Sequence, residues 1–149
     1  MRTQRGFTLI EIIAVMVLLT IVATVVAMSF SKSMSSAKIE AASRDLVAAL
    51  RYTRGQAIVH GTQAALDIDL EHNTYQAPGK AIVQMPKDMH MQLVTAEMEQ
   101  TGSTSGRIRF FADGASTGGH ITVFMNQRRW QINVSWLTGQ VSREELAGR

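Results

Sequence analysis

From Phe7 to Phe30 the chain runs through 24 residues, of which 19 are hydrophobic and one, Glu11, is charged. A helix of that length spans about 36 Å, more than the roughly 30 Å of a bilayer's hydrocarbon core. The Ile and Val residues count little against helix there, because lipid forces each backbone group to find its partner within its own segment. Arg2 and Arg5 precede the run, and nothing basic follows until Lys32. Basic residues ahead of a span hold a short N-terminus on the cytoplasmic side and send the remainder outward. The rival reading is a cleaved secretory signal with Ala27-Met28-Ser29 as its small-x-small site. Such signals carry apolar regions of about 7–15 residues, shorter than this one. The run therefore predicts a retained transmembrane helix over residues 7–30.

Glu11 is the one expensive residue in that helix. An ionisable group inside an apolar span is costly unless paired and is a functional candidate by default. Near the start of a helix it is also an acid that stabilises the positive end of the dipole. Physics alone leaves both readings open.

Beyond the run the apolar period becomes that of an amphipathic helix. Ile39, Ala42, Leu46, Ala49, Leu50, Thr53 and Ala57 fall on one face, with Lys38, Glu40, Arg44, Asp45 and Arg51 away from it. The helix is expected to end near His60-Gly61, with Gly55 as an earlier weak point. From there the period is two. Leu66, Ile68 and Leu70 alternate with Asp67, Asp69 and Glu71. Further strands are expected at Ala81–Val83, Gln92–Thr95, Arg107–Phe111, His120–Asn126 and Trp130–Trp136. The polar stretch Thr95–Gly106 reads as a loop and Gln127-Arg128-Arg129 as a hairpin turn. One helix followed by six or seven short strands is an α+β class, a small antiparallel sheet or sandwich against the helix. The organisation expected is residues 1–6 as a leader, 7–30 as the span, 31–61 as the amphipathic continuation and 62–149 as a single β-rich head.

Several chemistries are disfavoured by spacing. The chain has no cysteine, which excludes disulfides, thiolate metal sites and thiol catalysis. Gly114-Ala115-Ser116-Thr117-Gly118 matches the serine-nucleophile pattern, but that pattern needs a strand–turn–helix and here strand alternation follows. It also lacks the Gly-Lys-Ser/Thr of a phosphate cradle. Asp67, Asp69 and Glu71 would need glycine at His72 for a calcium loop, so they read as a solvated edge-strand face. His60, His72, His90 and His120 form no metal-binding pair at helical spacing. Met85, Met89, Met91 and Met98 read as gap-fillers or an adaptable contact surface. Trp130 and Trp136 share a strand face and are assigned to the core. No catalytic, cofactor-binding or metal-binding residues are assigned, and no cofactor is expected.

The string Arg5-Gly6-Phe7-Thr8-Leu9-Ile10-Glu11, opening a long apolar helix, resembles the class III leader of type IV pilins and type II secretion pseudopilins. Arg107-Ile108-Arg109-Phe110-Phe111-Ala112-Asp113-Gly114, then Ser116-Thr117-Gly118-Gly119 and Trp136-Leu137-Thr138-Gly139, resemble the GspH/FimT group of minor pilin-like proteins, most closely its H-type pseudopilins. Those members often carry arginine after Thr-Gly, where this chain has Gln140. The resemblance implies a pilin-like fold and a non-enzymatic filament subunit. A prepilin peptidase would cut between Gly6 and Phe7 and N-methylate Phe7, and Glu11 would pair with the Phe7 amine of a neighbouring subunit. Implied partners are other minor pseudopilins, the major one and an inner-membrane assembly platform driven by a cytoplasmic ATPase. The implied location is the bacterial inner membrane, single-pass, with a periplasmic head. The alternative within the group is a FimT-like pilin that binds DNA during uptake. Arg107, Arg109, Arg128 and Arg129 would form its basic patch if they were adjacent. Charge argues against nucleic acid: loss of Met1–Gly6 removes Arg2 and Arg5 and takes the net charge from +3 to +1.

Overall fold

The computed structural model describes residues 8–96, 99–100 and 104–146, apart from the side chains of residues 25 and 27–35. Helix α1 runs Leu9–His60. It crosses the division between two compact units, one ending at Ser36 and the other beginning at Ala37.

In the first unit α1 opens on a Thr-x-x-Glu capping sequence. The Glu11 N–H donates to the Thr8 hydroxyl at 3.3 Å and to the Thr8 carbonyl at 3.1 Å. Thr8 is thus the N-cap, and Glu11 stands in the first turn at the positive end of the dipole. The apolar side chains that follow are exposed, from Leu9 at 79% to Val22 at 52%. A helix that is apolar all round belongs inside a packed body or a bilayer. Thr20 and Thr24 donate their hydroxyls to the helix carbonyls of Met16 and Thr20, at 2.9 and 2.7 Å, and so need no water. Among the described residues no helical stretch is long and apolar enough to cross a membrane. Side chains of the run are described without a break only over residues 8–24.

In the second unit the amphipathic stripe packs as its spacing predicts. Ile39, Ala42, Leu46, Leu50, Thr53 and Ala57 are buried and Ala49 half-buried, with Ser43 and Val47 added to the same face. Gly55 does not interrupt the helix. Its end is set at Gly61, φ 61°, where the Gly61 N–H donates to Ile58 O at 3.3 Å and the Thr62 N–H to Ala57 O at 3.2 Å. That pair of bonds is a Schellman stop, which needs a left-handed residue at Gly61.

Among the described residues eight strands follow: β1 Ala64–Asp69, β2 Thr74–Gln76, β3 Val83–Gln84, β4 His90–Val94, β5 Ser105–Phe110, β6 Gly119–Met125, β7 Arg128–Val134 and β8 Val141–Leu146. They form two four-stranded sheets, β3-β2-β1-β5 and β4-β6-β7-β8. Every pairing is antiparallel. Ile39, Leu46 and Leu50 of α1 join Leu66, Ile68, Ile108 and Phe110 of the first sheet and Ile121, Val123 and Ile132 of the second in one buried cluster. Met85, Met89 and Met91 are buried in the same cluster, while Met98 lies outside the described residues.

The α+β class stands, but its strands differ in detail from the alternation. β2 is too short to show a period. β8, Val-Ser-Arg-Glu-Glu-Leu, is a sheet edge that buries only Val141, so its charges hid it. Ala81–Val83 contracts to the two residues of β3. The β6–β7 turn is Asn126-Gln127, because Arg128 already pairs with Met125. Asn126 takes φ 56°, which asparagine tolerates. β7 stops at Val134, so Trp136 leaves the sheet and is 69% exposed. Asp67 and Asp69 do share a face, yet β1 is no edge: it lies between β2 and β5, with Glu71 in the turn beyond it.

That turn carries a small titrating pair. The His72 N–H donates to Asp69 Oδ1 at 2.9 Å, and His72 Nδ1 lies 2.8 Å from Asp69 Oδ2. The side-chain hydrogen bond to Asp69 raises His72 above the ordinary 6.5, and the His72 backbone N–H foremost lowers Asp69 below 3.8. The contribution of Asp69 is present above its unfolded value and lost as pH falls through its lowered one. That of His72 is present below 6.5 and lost as pH rises through its raised one. The turn is therefore tightest between the two. An NMR titration is expected to place His72 above 6.5 and Asp69→Asn to return it there; an unmoved midpoint in that variant excludes this cause.

Candidate functional site

Strand alternation puts Arg107 and Arg109 on one side of β5, and both turn to the same carboxylate. Arg109 donates from Nε to Glu99 Oε1 at 2.7 Å and from Nη2 to Oε2 at 3.2 Å, and from Nη1 to Gln63 Oε1 at 3.2 Å. Arg107 Nε lies 3.4 Å from Asp67 Oδ1 and 3.9 Å from Glu99 Oε2. Glu99 is 4% exposed. Its hydrogen bond raises the proton affinity of the Arg109 guanidinium above the ordinary value. Glu99 therefore fastens the segment between β4 and β5 onto the first sheet. Glu99→Ala is expected to destabilise the head by about 2 kcal/mol, the scale of lost charge-assisted bonds. Urea unfolding checks this, and a change under about 0.5 kcal/mol would mean the clamp carries nothing.

Arg128 and Arg129 lie elsewhere. Arg128 donates to Glu145 Oε1 at 3.2 Å, and exposed Arg129 faces Leu146 across the β7–β8 ladder. Thr117, just before β6, is bonded to the Arg109 backbone, whereas Arg128 pairs with Met125 at the far end of β6. A seven-residue strand separates those positions by about 20 Å. The expected patch of Arg107, Arg109, Arg128 and Arg129 is not assembled. Local carboxylates claim three of the four.

The motif residues of the head, by contrast, converge. After β5 the chain turns through Phe111–Gly114, closed by Gly114 N–H to Phe111 O at 2.9 Å. Residues 115–118 then form a strap between the sheets: Ser116 bridges Phe110 of β5, and its N–H donates to Trp136 O at 2.9 Å. The Ser116 hydroxyl donates to Ser135 O at 2.9 Å and accepts from the Gly118 N–H at 3.0 Å. That serine is a buried staple with strand β6 after it, so the nucleophile geometry is not formed. Residues 135–140 close a tight turn, with Ser135 N–H to Gln140 O at 3.0 Å and Gly139 N–H to Ser135 O at 2.8 Å. Arg54 of α1 ties the two loops together, donating from Nε to Gly114 O and from Nη2 to Thr138 O, each at 3.0 Å. Gly139 is required there: φ is 61°, and a Cβ would stand 2.0 Å from Gly114 O.

A model of the family described as "Type II transport protein GspH" matches residues 42–139. The chain belongs to the GspH family. Its match begins at Ala42 on the buried stripe of α1 and ends at Gly139 in the turn that Arg54 holds. The prokaryotic N-terminal methylation motif matches residues 1–27. A type II secretion system protein H of Xanthomonas campestris pv. campestris is 34% identical over 140 residues, covering 94% of this chain and 83% of the relative. Two structures of the minor pseudopilin EpsH of Vibrio cholerae share the fold, each at TM-score 0.54. They are 11% and 12% identical and cover 74% and 75% of this chain, and 97% and 95% of their own.

Of the residues expected to act, Glu11 stands in the first turn of α1, while Gly6 and Phe7 lie outside the described residues. Arg54 and Glu99 escaped the sequence reading. A signal for Arg54 exists: no acid stands three or four positions from it on the helix, so its partner had to come from elsewhere. Glu99 had none, being one acid in a polar loop.

Proposed function

We propose that this chain is a minor pseudopilin, a structural and non-enzymatic subunit near the tip of a type II secretion pseudopilus that supports export of folded proteins across the outer membrane. The observation that carries this reading is the union, in one chain, of a methylation motif at residues 1–27 with a GspH head at residues 42–139. The relative named type II secretion system protein H supports it at 34% identity.

On this reading residues 1–6 are a leader removed by a prepilin peptidase between Gly6 and Phe7, with Phe7 N-methylated. Residues 7–30 anchor the chain in the inner membrane and later pack in the filament, residues 31–61 continue the helix, and residues 62–149 are a periplasmic head. Glu11 pairs with the Phe7 amine of a neighbour and sets subunit register, since an unpaired charge in an apolar bundle is costly. The partners are other minor pseudopilins, the major pseudopilin and the inner-membrane assembly platform.

Deletion of the gene, with secretion of folded exoproteins and uptake of DNA both measured, tests the reading. A secretion defect with normal uptake is expected; an uptake defect with normal secretion defeats it in favour of a DNA-binding pilin. The mature N-terminal mass is expected to match N-methyl-Phe7, and a start near Phe30 would return the chain to the cleaved-signal reading.

A further inference from the structure

Most arginines of the head are matched by carboxylates. Arg44 pairs with Glu40, Arg107 and Arg109 with Glu99, Arg128 with Glu145, and Arg143 approaches Glu40 at 3.9 Å. Arg51 and Arg54, three residues apart on α1, form no ion pair among the described residues. Arg54 donates to two carbonyls, and Arg51 makes a 3.3 Å bond to Val141 O. Carbonyls orient these guanidiniums without neutralising them, and among the described residues most of their five N–H donors each make no hydrogen bond. Both line an open concavity of about 530 Å³ whose other wall is Thr138, Gly139, Gln140 and Val141. Two like charges on one wall favour an anion between them.

Exposed apolar side chains stand on the same helix and the same turn that supply its walls. Trp136 and Leu137, on the turn that supplies Thr138 and Gly139, are 69% and 65% exposed. Ile58, 44% exposed, reaches the Gly114 side of the Arg54 clamp, and Val59 beside it is 79% exposed. The turn is held by its own backbone bonds and by Arg54, so Trp136 and Leu137 are presented on a rigid base. Aromatic and arginine side chains together on a rigid base are the composition of an interface centre.

We propose that this surface docks a segment of another protein subunit in which a carboxylate stands beside an apolar side chain. The carboxylate enters between Arg51 and Arg54, and the apolar neighbour covers Trp136 and Leu137. Exposed Trp136 and Leu137, next to Thr138 in the same turn, favour a protein over a nucleic-acid backbone, which would offer phosphate to the arginines and nothing to Leu137. The proposal rests on the pseudopilin reading only for the kind of partner.

The test places a benzophenone-bearing phenylalanine at Leu137 of the full chain, in cells whose secretion it complements, and maps the cross-linked peptides. The expected result is a cross-link to another subunit of the secretion apparatus within a few residues of an Asp or Glu. Arg51→Glu is expected to lower its yield about tenfold, Arg51→Lys to keep it, and Arg at the mapped acid to restore it in Arg51→Glu. Arg51 is the position changed because Arg54 also holds the two loops. An unchanged thermal midpoint of the full chain in detergent separates docking from misfolding. The proposal is overturned by no cross-link in secreting cells, by cross-links to a second copy or to segments without an acid, or by yield that survives Arg51→Glu. It is also overturned if the purified chain binds a short DNA duplex in an Arg51-dependent way. Each of these leaves the pseudopilin reading standing; normal secretion after gene deletion is what removes that reading.

Discussion

Glu11→Ala is expected to leave the chain in the membrane fraction while its incorporation into sheared, purified filaments falls by about a hundredfold or more. Removing one partner of a buried ion pair leaves the other charge uncompensated, a penalty of about 3–5 kcal/mol, and each 1.4 kcal/mol is a factor of ten. On the proposed reading membrane insertion does not depend on the acid, because the apolar residues from Leu9 onward supply the transfer free energy. The local role of Glu11 in the first turn of α1 is smaller: a charge at the helix dipole contributes about 0.3–1 kcal/mol. The two roles therefore differ in size. Glu11→Gln, which keeps a hydrogen-bonding side chain and loses the charge, is expected to fall with Glu11→Ala. Quantitative immunoblots of filament and membrane fractions decide it, and wild-type incorporation of Glu11→Ala defeats the pairing.

Gly139→Ala is expected to lower the stability of the head by about 3 kcal/mol, the sum of a left-handed backbone penalty and overpacking. Its Cβ would stand 2.0 Å from Gly114 O and 2.9 Å from Arg54 Nε, so the clamp across the two loops must open. Thermal unfolding of the full chain in detergent is expected to show a fall of about 10 °C. Gly55→Ala is the matched control. Gly55 lies within α1 with nothing inside 4 Å of an added Cβ, so alanine there is expected to raise stability by about 0.5–1 kcal/mol. Equal losses in both variants would mean that the Gly139 turn is not held as described.

The helix was legible because burial leaves a period that sequence records directly. Ile39, Leu46, Leu50 and Ala57 had to share a face, while the choice between Gly55 and Gly61 as the stop was made only by the fold, at Gly61. β6 was legible for the same reason, since Ile121, Val123 and Met125 alternate into the common core. β8 was not. An edge strand that buries one residue carries almost no period, and its Arg-Glu-Glu reads as a polar tail. Trp136 misled for a related reason: hydrophobicity suggests burial, but a strand ends where its ladder ends, at Val134.

Charged residues divide along the same line. The sequence alone determined a long apolar N-terminal run with a single acid at its start, an amphipathic helix after it and a β-rich head, because each is written in contiguous spacing. It also carried the family, through motifs that local backbone conformation requires, Gly139 in its turn above all. Only the tertiary structure decided which arginines are paired. Arg109 meets Glu99, Arg128 meets Glu145, and Arg51 and Arg54 are left facing an open concavity. Ion pairs across sheets depend on distances between residues far apart in the chain, and Coulomb attraction follows those distances rather than sequence order.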